Sequence, residues 1–163
     1  MPASFQIFKP LIITLEGEKL TRIKGDAGGL TKYGITEATY PHIDIANLTF
    51  DGACDIWEKD YWNHYSLSRI DSQAIANKVM SYLMNMNPFS AVRCVQKAVN
   101  HCGGNIPEDG LLGANTFNSI SQLPHDWLLD RMRIEGVTFY VYRVSVKPDQ
   151  IEFLEGWCNR ALL

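Results

Sequence analysis

Phe5, Phe8, Ile12 and Leu15 recur at spacings of three and four, the period of one helix face, and Ser4 stands where an N-cap belongs. This pattern predicts a first helix that delivers Glu16 near its end. Pro10 falls inside it. Proline has no N–H and bends a helix axis, so the element is kinked there or starts there. Between Gly17 and Tyr40 the pattern changes to short polar stretches punctuated by Gly17, Gly25, Gly28 and Gly29, with β-branched and aromatic residues in LTKYGIT. A loop or small hairpin is expected. Helical periodicity returns over 51–62, 71–84 and 90–102, where Gly103-Gly104 stops it, and again over 114–120, 125–145 and 149–162. The segment 125–145, with Trp127, Leu128, Met132, Ile134, Val137 and Tyr140, reads as a core helix. The fold class is mainly α, with a short β-hairpin or loop after the first helix.

A length of 163 residues fits one compact domain. No repeat or low-complexity linker divides the chain, although the turn-rich NIPEDGLLG at 105–113 could separate two subregions. Apolar residues at 46% and charged residues at 20% allow a buried core and disfavour disordered, collagen-like and coiled-coil readings. Fifteen Lys and Arg against eighteen Asp and Glu leave a net charge of −3, so no field for generic nucleic-acid binding exists and recognition must come from a shaped cleft. No apolar run approaches the roughly 18–20 residues of a membrane span. The N-terminus lacks the basic n-region of a secretory signal, so cytoplasmic synthesis without a signal peptide is expected. Cys54, Cys94, Cys102 and Cys158 form no C-x-x-C pair and read as reduced, partly buried thiols. The four histidines show no H-E-x-x-H or i, i+4 pairing, so no metal or other cofactor is expected.

Among the carboxylates Glu16 stands out. Ile12 and Ile13 share its side of the helix, and apolar neighbours plus the negative end of the helix dipole disfavour a charged form, which is how a Glu becomes a general acid. An exposed helix-terminal Glu is the plainer alternative. Asp26 follows ten residues on and Thr31 five after that. Glycoside hydrolysis needs one protonated carboxyl at the leaving oxygen and one carboxylate on the opposite face, so the set is glycosidase-like. Asp26 before Ala-Gly-Gly also suits an ordinary Asx-turn, and Thr31 an ordinary strand. Tyr33, Tyr61 and Trp62 are candidate sugar-stacking rings, Trp57 reads as core, and Asn85 and Gln96 are candidate amide donors to the sugar. The D-G-x-x-G-x-x-T stretch from Asp109 is at least a tight turn before a helix N-terminus.

The stretch LEGEKLTRIKGDAGGLTKYGITEATY resembles the signature of glycoside hydrolase family 108, E-G-G-Y, a short loop, then D-P-G-G-x-T-x-Y-G-I-T. The resemblance continues through NLTFDGACDIWEKDYW, NMNPFSAVRCVQKAVN, DGLLGANT and GWCNR, and GG-x-T-K-Y-G-I-T is its most specific part. Glu18 stands where the motif has its second Gly, and Ala27 where it has Pro. The resemblance implies a lysozyme-like helical fold, with a catalytic region at 1–90 and a peptidoglycan-binding helical region at 91–163 in one compact unit. By it Glu16 matches the proton donor. The Glu16, Asp26, Thr31 spacing is also similar to the Glu, Asp, Thr set of phage lysozymes, which makes Asp26 and Thr31 water-positioning partners.

The implied function is an N-acetylmuramidase that cleaves the β-1,4 bond between N-acetylmuramic acid and N-acetylglucosamine. Inversion or retention depends on the carboxylate separation. The alternatives are a lytic transglycosylase and a non-catalytic protein that binds the wall or assists secretion. The expected partners are peptidoglycan glycan strands and, as in prophage endolysins, a holin-like membrane pore for release to the wall. No nucleic-acid partner is expected, and the chain is read as a monomer.

Overall fold

The structure, a computed structural model, describes residues 1–22 and 29–163. The chain divides into two compact units, Ser4–Ser66 and a second made of Met1–Ala3 with Leu67–Leu163.

In the first unit, α1 (Phe5–Phe8) is capped by Ser4, whose hydroxyl accepts from the Gln6 amide at 3.2 Å. The expected single helix is two. Pro10 has no amide to donate back along the turn, and the chain restarts after it as α2 (Leu11–Glu16). Gly17, at φ 73°, ends α2 and returns its N–H to the Ile13 carbonyl at 2.8 Å. Glu16 is therefore the last helical residue.

Three short strands follow, β1 (Thr21–Arg22), β2 (Leu30–Lys32) and β3 (Ile35–Thr36), in one antiparallel sheet with β2 central. Thr31 pairs with Thr21 on one side and Thr36 on the other. α3 (Phe50–Trp57) starts at Thr49, whose hydroxyl accepts from the Gly52 amide at 3.1 Å, and runs on as a π-helical segment, Glu58–Asn63. The helix expected over 51–62 thus changes its winding halfway. The wider π turns bring Trp62 inward, 1% exposed, against Phe5 and Phe8 at 5.7 and 5.9 Å between ring centres.

The second unit is helical. α4 (Gln73–Asn85) is capped by Ser72, and α5 (Pro88–His101) by Asn87 with proline in its first turn. α6 (Ala114–Gln122), α7 (His125–Val146) and α8 (Leu154–Leu162) complete it, a 3-10 stretch at Pro148–Phe153 replacing the start of the last expected helix. α7 packs against α4, α5, α6 and α8. Leu128, Met132, Gly136, Tyr140 and Val144 are buried along it at helical spacing, with Glu135 buried beside Gly136. Trp127 and Ile134, expected in the core, are 58% and 50% exposed.

Gly136 lets α7 approach its neighbours. A Cβ there would lie 2.6 Å from the Tyr82 hydroxyl and 3.0 Å from the Ala161 Cβ, and that hydroxyl donates to the Met132 carbonyl one turn away. Lys78 is 4% exposed, and its ammonium donates to the Ala161 carbonyl at 2.9 Å. Burial first, then the nearby Arg133 and Arg160 charges, push its pKa down to about 8. All four cysteines are unpaired, with Cys54, Cys94 and Cys102 buried. No helix among the described residues is long and apolar enough to cross a membrane.

Two predictions follow from this packing. Gly136→Ala would gain about 1 kcal/mol of helix propensity, yet the crowding costs about 1–3 kcal/mol, so chemical denaturation should show a destabilised variant. For Lys78 the folded pKa lies below the ordinary 10.5. The cost of burying its charge is full below about pH 8 and fades as pH rises from 8 to 10.5, where the unfolded chain holds the extra proton. The stability of Lys78→Met relative to wild type should therefore fall across that window, by on the order of 3 kcal/mol, in paired denaturation curves.

Candidate active site

The hairpin between β2 and β3 has a two-residue turn, Tyr33–Gly34, because Lys32 pairs directly with Ile35. Both turn residues have positive φ, 52° and 77°, the geometry whose twist matches antiparallel strands. Glycine takes it without cost and tyrosine does not. Tyr33 is held there from two directions. The indole N–H of Trp57 donates to its carbonyl at 2.9 Å, and its ring meets Phe50 edge-on at 5.5 Å. Trp57 is 3% exposed, as the sequence led one to expect of a core residue, and it is also the donor that pins the turn.

That turn lies directly against Glu16. A Cβ at Gly34 would be 2.7 Å from Glu16 Cγ and 2.8 Å from Oε2, so the half-buried carboxyl rests on the glycine backbone. The end of α2 and the hairpin turn are thus brought together through a residue without a side chain. The base of the hairpin is tied in a related way. The Glu37 carboxylate accepts from the Leu30 amide at 3.2 Å, and a Cβ at Gly29, φ 70°, would lie 2.8 Å from Glu37 Oε2. Periodicity gave no sign of Glu37 or of the Trp57 donor. The Tyr-Gly pair inside LTKYGIT was the available signal for the turn.

Thr31 sits in the central strand of this sheet, half-buried, two residues before the turn. Asp26 lies outside the described residues. Tyr33 and Tyr61 are half-buried in the same unit as Glu16. The Tyr61 ring rests on Trp57 at 4.6 Å, and Tyr40 donates to Asp60 at 3.1 Å and is hydrogen-bonded to Tyr61. Burial, with Tyr65 and Asp60 adding to it, raises the Tyr61 pKa, so it stays a neutral phenol.

Two expected sugar contacts need correction. Trp62 is buried between aromatic side chains, so neither face of its ring is open to a sugar. Gln96, 1% exposed, is spent on structure in the helical unit. Its amide nitrogen donates to Asp109 at 2.8 Å and to the Leu111 carbonyl at 3.1 Å, and its oxygen accepts from the Gly110 amide at 2.9 Å. The D-G-x-x-G-x-x-T stretch is therefore a turn organised around one buried amide. Hydrogen bonds from Gln96 and the Leu111 amide hold Asp109 below the usual carboxylate range. Asn85, also in the helical unit, accepts from the Tyr140 hydroxyl at 2.6 Å.

These elements define a mainly α, lysozyme-like fold with a small sheet after the first helices. Its likeness to the structure of Brucella abortus SagA extends over 97% of this chain and 93% of that one, with a TM-score of 0.73 and 22% identity. No curated protein matches the chain. Residues 10–86 match the family model of glycosyl hydrolase 108, and residues 90–162 that of a predicted peptidoglycan domain. The chain thus carries a glycosyl hydrolase 108 region followed by a predicted peptidoglycan domain, and together they support a glycosyl hydrolase that has peptidoglycan as its partner.

The contact between Gly34 and Glu16 can be checked without any substrate. Gly34→Ala should keep the helical circular-dichroism signal, lose about 1–3 kcal/mol through its positive φ and the displaced carboxyl, and move the carbon-13 resonance of the Glu16 carboxyl. An unmoved resonance would contradict the contact.

Proposed function

We propose that the protein is an N-acetylmuramidase that cleaves the β-1,4 bond between N-acetylmuramic acid and N-acetylglucosamine, with Glu16 as the proton donor to the leaving oxygen. The observation that carries this reading is the Glu16 carboxyl at the end of α2, seated on the backbone of a turn that Trp57 and Phe50 hold in place. A general acid gains from such fixing. Proton transfer requires the carboxyl within hydrogen-bond reach of the glycosidic oxygen, and a carboxyl held by packing spends no free energy on being ordered when substrate arrives. Its half-exposure leaves a way in for the sugar.

In this reading Asp26, assisted by Thr31 on the central strand, activates water on the opposite face of the sugar ring. Tyr33 and Tyr61 offer ring surface to the apolar side of a pyranose. As a neutral phenol, Tyr61 would also exchange hydrogen bonds with sugar hydroxyls. The region from residue 91 onward holds the wall while the first 90 residues act on the glycan. A family match to glycosyl hydrolase 108 over 10–86 and to a predicted peptidoglycan domain over 90–162 supports that division of labour.

Glu16→Gln keeps the size of the side chain and removes the proton. It should slow clearing of purified peptidoglycan by at least about 100-fold with the thermal transition retained. Mass spectrometry of the muropeptides released by wild type should show reducing-end N-acetylmuramic acid. Anhydro products would mean a lytic transglycosylase, and equal clearing by Glu16→Gln would remove Glu16 from its role.

A further inference from the structure

α5 and α7 part along one side to leave a pocket of about 420 Å³ within the helical unit. Its walls repeat the same spacing on both helices. Ser90, Arg93, Cys94 and Lys97 face it from α5, and Glu135, Thr138, Phe139 and Tyr142 from α7. Positions i, i+3, i+4 and i+7 of a helix lie in one stripe, so the pocket is a groove running along both axes.

The chemistry of the lining is lopsided. Glu135, 5% exposed, is its one carboxylate, and the protein already occupies it. Arg131 donates to Oε1 through Nε and Nη2 at 3.0 and 2.7 Å, and His101 Nδ1 stands 3.1 Å from the same oxygen. The cations on the opposite wall are less committed. Lys97 has no ion pair among the described residues, the Arg93 guanidinium has a loose 3.6 Å approach to Glu108 and lies over the Phe89 ring at 5.6 Å, and Arg93 Nε is buried without a hydrogen-bond partner. Cys94 adds no charge to the floor, since burial and then Glu135 push its thiol up to about 12. A groove with two available cations on a chain of net charge −3 selects for anions locally. Phe139 and the 67% exposed Tyr142 supply apolar wall opposite them.

We infer that this groove binds the peptide stem of peptidoglycan, a short peptide carrying free carboxylates between small apolar side chains, and not the glycan strand. This rests on the reading that the protein works on peptidoglycan. A stem carboxylate would pair with Arg93 and Lys97, whose fork and point charge suit carboxylate oxygens. The methyl groups of alanine residues would pack on Phe139 and Tyr142. The volume suits a ligand of two or three residues. The lining has no side-chain amide with which to address N-acetyl groups. Gln96, the amide on α5 nearest in sequence, is buried and turned to the Asp109 turn. With the stem in this groove, the wall-binding half grips the part of the polymer that the glycosidase half leaves intact.

The test uses the full chain carrying Glu16→Gln, titrated calorimetrically with three probes: a synthetic stem tetrapeptide with free carboxylates, the same peptide fully amidated, and peptide-free glycan oligomers. The acidic stem should bind at least tenfold more tightly than its amidated form, and more weakly as salt rises. Lys97→Glu and Arg93→Gln should each lower that affinity at least tenfold, and Arg93→Lys should restore part of it, with unchanged thermal transitions. Equal binding of amidated and acidic stems, or undiminished binding by Lys97→Glu, would overturn the groove assignment. So would glycan oligomers whose affinity falls in these two variants while stem binding does not. Hydrolysis of sacculi by the wild-type chain is read separately. Stem binding without hydrolysis would count against the muramidase reading and leave the groove standing, whereas hydrolysis without stem binding would do the reverse.

Discussion

The carboxyl of Glu16 and the backbone of Gly34 lie so close that not even a methyl group fits between them. Much of the smaller unit can be understood as the means of keeping that contact. α2 must stop where Glu16 stops, and Gly17 stops it by adopting a positive φ that other residues resist. The hairpin must turn in two residues, which requires two consecutive positive φ values and therefore a strained Tyr33. That strain persists because α3 supplies both a donor to the Tyr33 carbonyl, from Trp57, and a ring against its side chain, from Phe50. Strain concentrated beside a carboxyl and over-determined by the core is the arrangement expected where geometry serves chemistry.

The helical unit is governed by a different constraint, the burial of polar groups in a small core. Gln96 meets it completely, since both ends of its amide are used and a whole loop takes its shape from them. Glu135 meets it with Arg131 and His101 around one oxygen. Lys78 meets it only in part, through one carbonyl, and its lowered pKa is the result. α7 joins these features. On one side Gly136 lets it close against Tyr82 and Ala161, and on another its Glu135, Phe139 and Tyr142 face α5 across the groove. A helix held hard on one flank can leave an opening on the other without loosening the core.

Helix starts were the most legible part of the chain, because a cap is a local event. Ser4 marked its helix by residue type alone, and its side chain accepts the amide that a cap should. Aromatic assignments were less legible. Trp57 and Trp62 lie in the same periodic stretch, and both turned out to be buried, Trp57 with a donor aimed at the hairpin and Trp62 among phenylalanines. The π winding from Glu58 shifts the phase of every side chain beyond it, and an ordinary helical period does not encode that shift. Gln96 was misread for a related reason. Its position in an amphipathic helix does not say whether a polar side chain meets water or a loop folded over it.

By itself, the sequence determined the mainly α class, a disturbance of the first helix at Pro10, a helix end near Glu16 and the family signature in GG-x-T-K-Y-G-I-T. Each of these depends on neighbours within a few residues, where steric rules and hydrogen-bond reach act directly. Only the tertiary structure decided that Gly34 receives the Glu16 carboxyl, that Trp57 pins the turn, and that Arg93 and Lys97 share a groove with Phe139 and Tyr142. Those contacts join residues far apart in the chain. Their existence depends on close packing, in which a missing Cβ or one buried N–H settles which side chains meet.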